Sequence, residues 1–463
     1  MKYCNFKMLV LSWCFFLASA VSYAQSSQDA IDGLIKQRFP FVGPGCVVLV
    51  AKKGQIIYTK AFGMADPQTQ KPMQTDMIFR IGSMTKQYTA IAILQLVELG
   101  KISLQDSIQK YVKEFPSKGY PITIENVLTQ TSGIPDYMTI QNHDPAKNRN
   151  EYTPAQGVDY FKDEPLNFKP GSKFEYSNSN FYLLGYIIEQ VTWQTYESYI
   201  KKHLFESAGL QHTYYIHKDA TATNIASGYS RSGGKNWDSA ELQDPTIMYA
   251  AGGIMTNAGD LFKWHQALSA GKLVSPKTLQ QAYTPYQFPD GSLSEYGYGW
   301  FIRNLDGSKT IEHSGSTDGY QTDEIYLPEQ DVFVAALFNG FEQDMDFVTL
   351  SNDIARLAIN KPLQHELKLK VDSLGRYAGT YIYNTEHQML VTFKDNQLFV
   401  EASNPKDRLP QVRLYAKSSN RFYIKEAPIE FEFIESAGRP FKLITYNTHG
   451  KDAEWQKLSL RKK

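Results

Sequence analysis

The sequence predicts an α+β domain, an antiparallel sheet flanked by helices, followed by a small all-β, barrel-like module. Three observations lead there. Apolar β-branched runs lie near both ends of a region of roughly three hundred residues, with helix-patterned segments between them, so the two ends of that region meet in one sheet. Past Asn360 the chain turns polar, with Pro362 and alternating charges, and thereafter only short alternating strands appear. The composition, 42% hydrophobic and 13% aromatic over 463 residues, holds enough apolar surface for a large core and excludes a mainly disordered chain.

The elements follow in order. Lys2 and Lys7 precede the apolar run Met8 to Val21, and Ser22-Tyr23-Ala24 ends it, so residues 1–24 read as a secretory signal peptide cleaved before Gln25. The run is shorter than the ~20 residues a membrane span needs. The expected location is periplasmic or extracellular. Ser27 to Arg38 has helical spacing. Cys46 to Ala51 and Gln55 to Ala61 form a hairpin around Lys53-Gly54. Thr85 to Leu99 is apolar nearly all round and stops at Gly100, the pattern of a buried helix. Ile124 to Leu128, Asn180 to Thr192 and Tyr196 to Phe205 are further helices, and Gln321 to Tyr326 and Val332 to Phe338 are strands. The large α+β domain is assigned to 25–360, a linker to 361–373, and the β module, with about eight strands, to 374–463. There Met389, Val391 and Phe393 alternate before Asp395-Asn396, and Phe431 and Phe433 alternate with glutamates, as in strands with one wet face.

Charge and cysteine narrow the function. With 48 Lys+Arg against 48 Asp+Glu and no basic tract, the chain lacks the footprint of a nucleic-acid binder. Past the signal only Cys46 remains, in an apolar strand, so no internal disulfide forms and a buried structural thiol is expected. No His-Glu-x-x-His, cysteine cluster, Gly-x-Ser-x-Gly elbow or phosphate loop occurs, and no cofactor or metal is expected. No membrane span is expected after signal removal, and no feature of the sequence fixes an oligomeric state.

Three stretches carry candidate chemistry. In Gly82-Ser83-Met84-Thr85-Lys86 a serine stands at the entry of the buried helix with a lysine one turn on, so the two side chains share a face and the amine can take the hydroxyl proton. The bare pattern occurs seven times in the chain; the helix entry singles out Ser83. In Tyr176-Ser177-Asn178, two residues apart in a loop ahead of a helix, a phenol whose pKa is lowered by nearby cations can act as base and an amide can hold a substrate carbonyl or the lysine. In His313-Ser314-Gly315-Ser316, Gly315 lets another backbone approach the strand, and the Ser316 N–H can pair with the Ser83 N–H as an oxyanion hole. Taken singly, Ser83 reads as a helix N-cap, Tyr176 as a packed tyrosine at a capped helix entry, and His313 as an exposed histidine.

Taken together and in this order, the three stretches resemble the motifs of the serine β-lactamase and penicillin-binding-protein superfamily. The likeness is strongest to its class C β-lactamase-like branch of D-alanyl-D-alanine carboxypeptidases, D-aminopeptidases and esterases. It spans about residues 28 to 358 and includes Ile122 to Pro135, Ala251-Gly252-Gly253 and Tyr298-Gly299-Trp300. The tail around Tyr377 to Tyr381 resembles the lipocalin-like module appended to such hydrolases. The resemblance implies a β-lactamase/transpeptidase-like fold and an acyl-enzyme on Ser83, a proton relay through Lys86 and Tyr176, Asn178 holding the substrate amide, and an oxyanion hole from Ser83 and Ser316. His313 would assist the Tyr176 hydroxyl or bind a substrate carboxylate. The implied substrates are small amides, peptides or esters. His313 stands where many β-lactamases carry lysine, so carboxylate attraction weakens and efficient β-lactam hydrolysis is not expected. Gln130 stands where histidine is common. The competing expectations are a carboxylesterase of the same fold and a non-catalytic peptide or cell-wall binder.

Overall fold

The computed structural model describes residues 28–37, 43–140, 152–216, 223–231, 236–242, 244–342 and 347–363, and, towards the C-terminus, 374–384, 387–402, 409–417, 420–424, 427, 429–436, 439–447 and 450–458. The expected signal segment and cleavage point, and most of the expected linker, lie outside the described residues. The chain divides into two compact units, one holding the chain to Ile302 together with Thr310–Lys361, the other Arg303–Lys309 with Pro362–Lys463.

The first unit is built on a six-stranded sheet, all of it but the stretch Arg303–Lys309. Its strands are β1 (Cys46–Lys52), β2 (Gln55–Phe62), β3 (Phe301–Leu305), β4 (Ser308–Thr317), β5 (Tyr320–Leu327) and β6 (Val332–Phe338), in the spatial order β3-β4-β5-β6-β1-β2. The expected hairpin is β1–β2, turning at Lys53 and Gly54, both with positive φ, the backbone a two-residue hairpin turn requires. Strand β1 pairs antiparallel with β6, from Cys46 opposite Phe338 to Lys52 opposite Val332, so the two ends of the region do meet in one sheet. Both central strands are buried along nearly their full length, because helices cover the sheet. Cys46 is fully buried and desolvation pushes its thiol up to about 12, which makes it an inert core residue.

Helix α1 (28–37) precedes the sheet, and the helices that matter for the site are α2 (Thr85–Glu98), α3 (Asn178–Thr192) and α4 (Pro245–Gly252). Helix α2 is buried from Thr85 through Leu94, which is why its sequence shows no polar face. It ends at Leu99 with Gly100 in the left-handed conformation. Helix α3 begins two residues earlier than expected. Ser177 is extended at φ −142° and ψ 123°, and Asn178 already belongs to the first turn. The segment expected as one helix over Tyr196 to Phe205 is an α-helix, Tyr196–Ile200, running into a π-helical turn, Lys201–Phe205.

The second unit contains a closed barrel of eight strands: β7 (Gly379–Ile382), β8 (Gln388–Lys394), β9 (Gln397–Ala402), β10 (Val412–Ala416), β11 (Arg421–Tyr423), β12 (Glu430–Ser436), β13 (Arg439–Asn447) and β14 (Gly450–Lys457). Alternation places Val391, Leu398, Val400, Phe431 and Phe433 inward, while Glu430 and Glu432 are only partly buried. Tyr377, Tyr381 and Phe422 fill the interior beside them, Tyr377 stacking on Phe433 at 4.5 Å. The barrel core is thus a packed one, made of large rings.

Candidate active site

The site forms where the start of α2 meets the end of β4. A short sheet supports it: Phe79–Arg80 pairs with Ile254–Thr256, the Ile81 N–H bonds the Ile254 carbonyl at 3.1 Å, and the Ile254 N–H bonds Thr85 Oγ1 at 3.1 Å. From there Gly82–Met84 makes one tight turn into α2. Gly82 has φ +49°, and a Cβ on it would lie 2.8 Å from the Ser316 carbonyl oxygen and 3.0 Å from the Ser316 nitrogen. On the facing strand, a Cβ on Gly315 would lie 1.9 Å from the Ile81 carbonyl oxygen. Two glycines therefore let β4 close against the turn. Thr322 Oγ1 on β5 ties the two together, bonding the Ile81 carbonyl at 3.1 Å and the Gly315 carbonyl at 3.3 Å. The strand carrying Ser316 thereby lies against the turn carrying Ser83.

Ser83 is partly exposed, and no side-chain cap bond forms at either the tight turn or α2, so it is not serving as a helix cap. Lys86 is fully buried one turn on, with Nζ 3.0 Å from Ser83 Oγ, 2.8 Å from Asn178 Oδ1 and 2.9 Å from the Ala251 carbonyl oxygen. Desolvation pulls the lysine down to about 7, against the opposing pull of the Asp136 carboxylate. A neutral amine has two N–H bonds and one lone pair. Asn178 Oδ1 and the Ala251 carbonyl accept both hydrogens, which leaves the lone pair for the Ser83 hydroxyl. Such an arrangement can activate a nucleophile without a histidine.

The Ala251 carbonyl is available because α4 is kinked. Tyr249 adopts φ 37° and ψ −130°, and the next two carbonyls turn to α2, Ala250 accepting from Thr89 Oγ1 at 2.7 Å and Ala251 from Lys86.

Tyr176 faces the pair, its ring centroid 4.9 Å from Lys86 Nζ. The expectation that cations lower its pKa is corrected here. Burial above all pushes the phenol up, the nearby Ser83 hydroxyl pulls the other way, and Asp136 adds a smaller push upward, so Tyr176 keeps its proton at neutral pH. Asn178 sits on the first turn of α3 rather than in the loop, its Oδ1 on Lys86 and its Nδ2 donating to Asp136 Oδ2 at 3.0 Å.

His313 is 2% exposed, not a surface residue. Its Nδ1 lies 2.6 Å from the Ser314 carbonyl oxygen and therefore carries the proton when the ring is neutral, and its Nε2 lies 3.0 Å from the Tyr296 hydroxyl. The ring packs with Phe301 at 5.3 Å and Tyr176 at 6.2 Å. Both ring nitrogens have partners, and His313 meets Tyr176 through ring packing.

Sequence reasoning missed Asp136, Tyr296 and the role of the Ala251 carbonyl. An Asp directly after Pro135, placed to cap the next turn, was the available signal for the first; the other two depend on a kink and a ring contact that no local pattern encodes. Among the described residues no group of three or more His, Cys, Asp or Glu is gathered to hold a metal ion.

Known proteins share this architecture. A family model described as Beta-lactamase matches residues 39–358. Penicillin-binding protein 4* of Bacillus subtilis (strain 168) is 27% identical over 435 residues, covering 86% of this chain and 92% of that protein. The octameric penicillin-binding protein homologue from Pyrococcus abyssi superposes with a TM-score of 0.65 at 25% identity, over 94% of this chain and 99% of that one. D-amino acid amidase from Ochrobactrum anthropi SV3 shares the fold at a TM-score of 0.63 and 23% identity, over 72% of this chain and 99% of that one.

Proposed function

Since the chain belongs to the β-lactamase family and is a serine hydrolase, we propose that it cleaves small amide, peptide or ester substrates through an acyl-enzyme on Ser83, in the manner of a D-amino-acid peptidase or carboxypeptidase. The observation that carries this reading is the buried Lys86, 3.0 Å from Ser83 Oγ, with both N–H groups of its neutral form engaged elsewhere.

In the first step Ser83 Oγ attacks the substrate carbonyl carbon while Lys86 Nζ takes the hydroxyl proton. The oxyanion forms between the Ser83 and Ser316 N–H groups, at the close approach that Gly82 and Gly315 permit. Collapse breaks the bond to the leaving amine or alcohol, which takes the Tyr176 hydroxyl proton, and the Lys86 ammonium returns a proton to Tyr176. The high pKa of Tyr176 suits it to stay protonated until this point. Water then adds to the ester carbon along the same path and frees Ser83. Asn178 and the ring of His313 line the substrate side of the cleft.

The D-amino-acid preference rests on kinship with penicillin-binding proteins and on the fold shared with a D-amino acid amidase. Its test is a panel of D- and L-alanine anilides and p-nitrophenyl esters with wild type and Ser83→Ala. D-anilide turnover that disappears in the variant is expected; L-selective or ester-only turnover would favour the esterase reading. Export is proposed from the apolar run Met8 to Val21 behind Lys2 and Lys7. Among the described residues no helix is long and apolar enough to cross a membrane. N-terminal sequencing of secreted protein beginning at Gln25 is the expected result, and an intact Met1 in the cytoplasm would refute export.

A further inference from the structure

Asp136 belongs to no motif that singled out the site, yet the loop carrying it is fastened to α3 at two points. Ser179 Oγ donates to the Pro135 carbonyl at 2.7 Å and accepts from the Tyr137 N–H at 2.9 Å. Held there, Asp136 divides its two oxygens. Oδ1 accepts the Met138 N–H at 3.1 Å and caps the turn Tyr137–Thr139, and Oδ2 accepts Asn178 Nδ2 at 3.0 Å.

The second bond carries information. An amide side chain has a donor end and an acceptor end, and only a partner of fixed character decides which way it points. An ionised carboxylate can only accept. Asp136 therefore takes the NH₂ end of Asn178 and forces Oδ1 toward Lys86. If the amide turned over, its NH₂ would face Lys86, the neutral amine would spend its lone pair accepting that N–H, and an N–H would point at Ser83 instead.

We propose that Asp136 is a positioning residue, whose carboxylate sets the orientation of the Asn178 amide so that Lys86 presents its lone pair to the Ser83 hydroxyl. The inference rests on the reading of Lys86 as the base for Ser83. The groups facing Lys86 are Ser83 on α2, Asn178 and the Phe181 ring on α3, the Ala251 carbonyl on α4, and Tyr176 and Asp136 from the loops; of these only Tyr176 and Asp136 are titratable besides the lysine itself. Asp136 is the anion of the set, so its charge favours the Lys86 ammonium.

Asp136→Asn separates this role from a merely structural one. It is isosteric and keeps an acceptor for the Met138 N–H, but it turns an N–H toward Asn178. The expected result is a fall in kcat/KM of about 10²-fold with KM nearly unchanged and near-native thermal melting, and an acidic limb of the pH–rate profile displaced to lower pH, which loss of packing alone would not produce. The reciprocal double variant Asp136→Asn/Asn178→Asp again offers Lys86 an acceptor and gives it a nearer anion; it is expected to regain about tenfold or more of the lost rate, with its acidic limb above that of wild type. Fluorophosphonate labelling of wild type at Ser83 is measured alongside. Wild type labelled at Ser83 together with an Asp136→Asn enzyme of unaltered rate and profile, or a double variant without recovery, overturns this inference alone. Wild type unlabelled at Ser83 overturns the reading beneath it, and the inference falls with it.

Discussion

Gly82 and Ser316 touch backbone to backbone: the position a Gly82 side chain would occupy is 2.8 Å from the Ser316 carbonyl oxygen. This contact, with that of Gly315 on Ile81, brings the strand carrying Ser316 against the turn carrying Ser83, where the oxyanion hole is proposed. Gly315→Ala would force its methyl group to within 1.9 Å of the Ile81 carbonyl, and neither partner is a flexible side-chain end that could yield. The expected outcome is a loss of about 10²-fold in Ser83 acylation with about 1–3 kcal/mol of destabilisation, read by labelling kinetics and urea unfolding. Unchanged labelling would mean that the Ile81–Gly315 approach does not shape the hole.

Lys86 must be neutral to accept the Ser83 proton, so kcat/KM should fall as pH drops through about 7, the value to which burial lowers the lysine. A kcat/KM profile flat from pH 5 to pH 9 would exclude this assignment.

The same residue links pH to stability. Between about 7 and the ordinary lysine value of 10.5 the unfolded chain holds a proton on Lys86 that the folded chain has released, so stability rises with pH across that window. Lys86→Met removes this contribution together with activity. The stability of wild type minus that of Lys86→Met is expected to grow from pH 7 to pH 10, by urea melts at each pH; a constant difference would show a lysine that is protonated in the fold.

Much of this architecture was readable because local pattern and burial coincide. The apolar runs of β1 and β6, the Lys53-Gly54 turn and the all-round apolar α2 each state their own burial. The barrel strands declare themselves by alternation, as at Phe431 and Phe433. The three site stretches were legible because Ser83 and Lys86 are one helical turn apart and Gly315 has a backbone reason to be glycine. The rest depended on tertiary placement. The protonation of Tyr176 is set by how deeply α3 and β3 enclose it, the pairing of His313 by Tyr296 seventeen residues away in sequence, and the Ala251 carbonyl by the Tyr249 kink. None of these leaves a mark at its own position in the chain.

Glu324 stands opposite His313 in the β4–β5 register, wholly buried, with Oε2 lacking a hydrogen-bond partner among the described residues. Desolvation raises it to about 7 from an ordinary 4.5, against smaller opposing effects of Gln87 and Trp300. The folded chain thus keeps a proton that the unfolded chain loses, and the stability this contributes, full below pH 4.5, disappears as pH rises through 7. Glu324→Gln is expected to gain on wild type over that range, by about 2–3 kcal/mol at pH 8. A pH-independent difference between the two would refute it.

Ser83→Ala removes the proposed nucleophile without removing a cap, since no side-chain cap bond forms at this helix entry. Thermal stability should change by less than the ~1 kcal/mol typical of a lost cap, while turnover and covalent labelling vanish. Residual turnover at the wild-type rate would remove Ser83 from the chemistry.

The central claim is that a neutral, buried Lys86 makes Ser83 the nucleophile. Intact-mass and peptide-mapping spectrometry of residues 25–463 after timed exposure to a fluorophosphonate, repeated from pH 5 to pH 9, tests it most directly. One adduct is expected, on Ser83, forming at a half-maximal rate near the Lys86 value of about 7 and at a much reduced rate in Lys86→Met. An adduct on another residue, no adduct, or a Ser83 rate independent of pH and of Lys86 would contradict it.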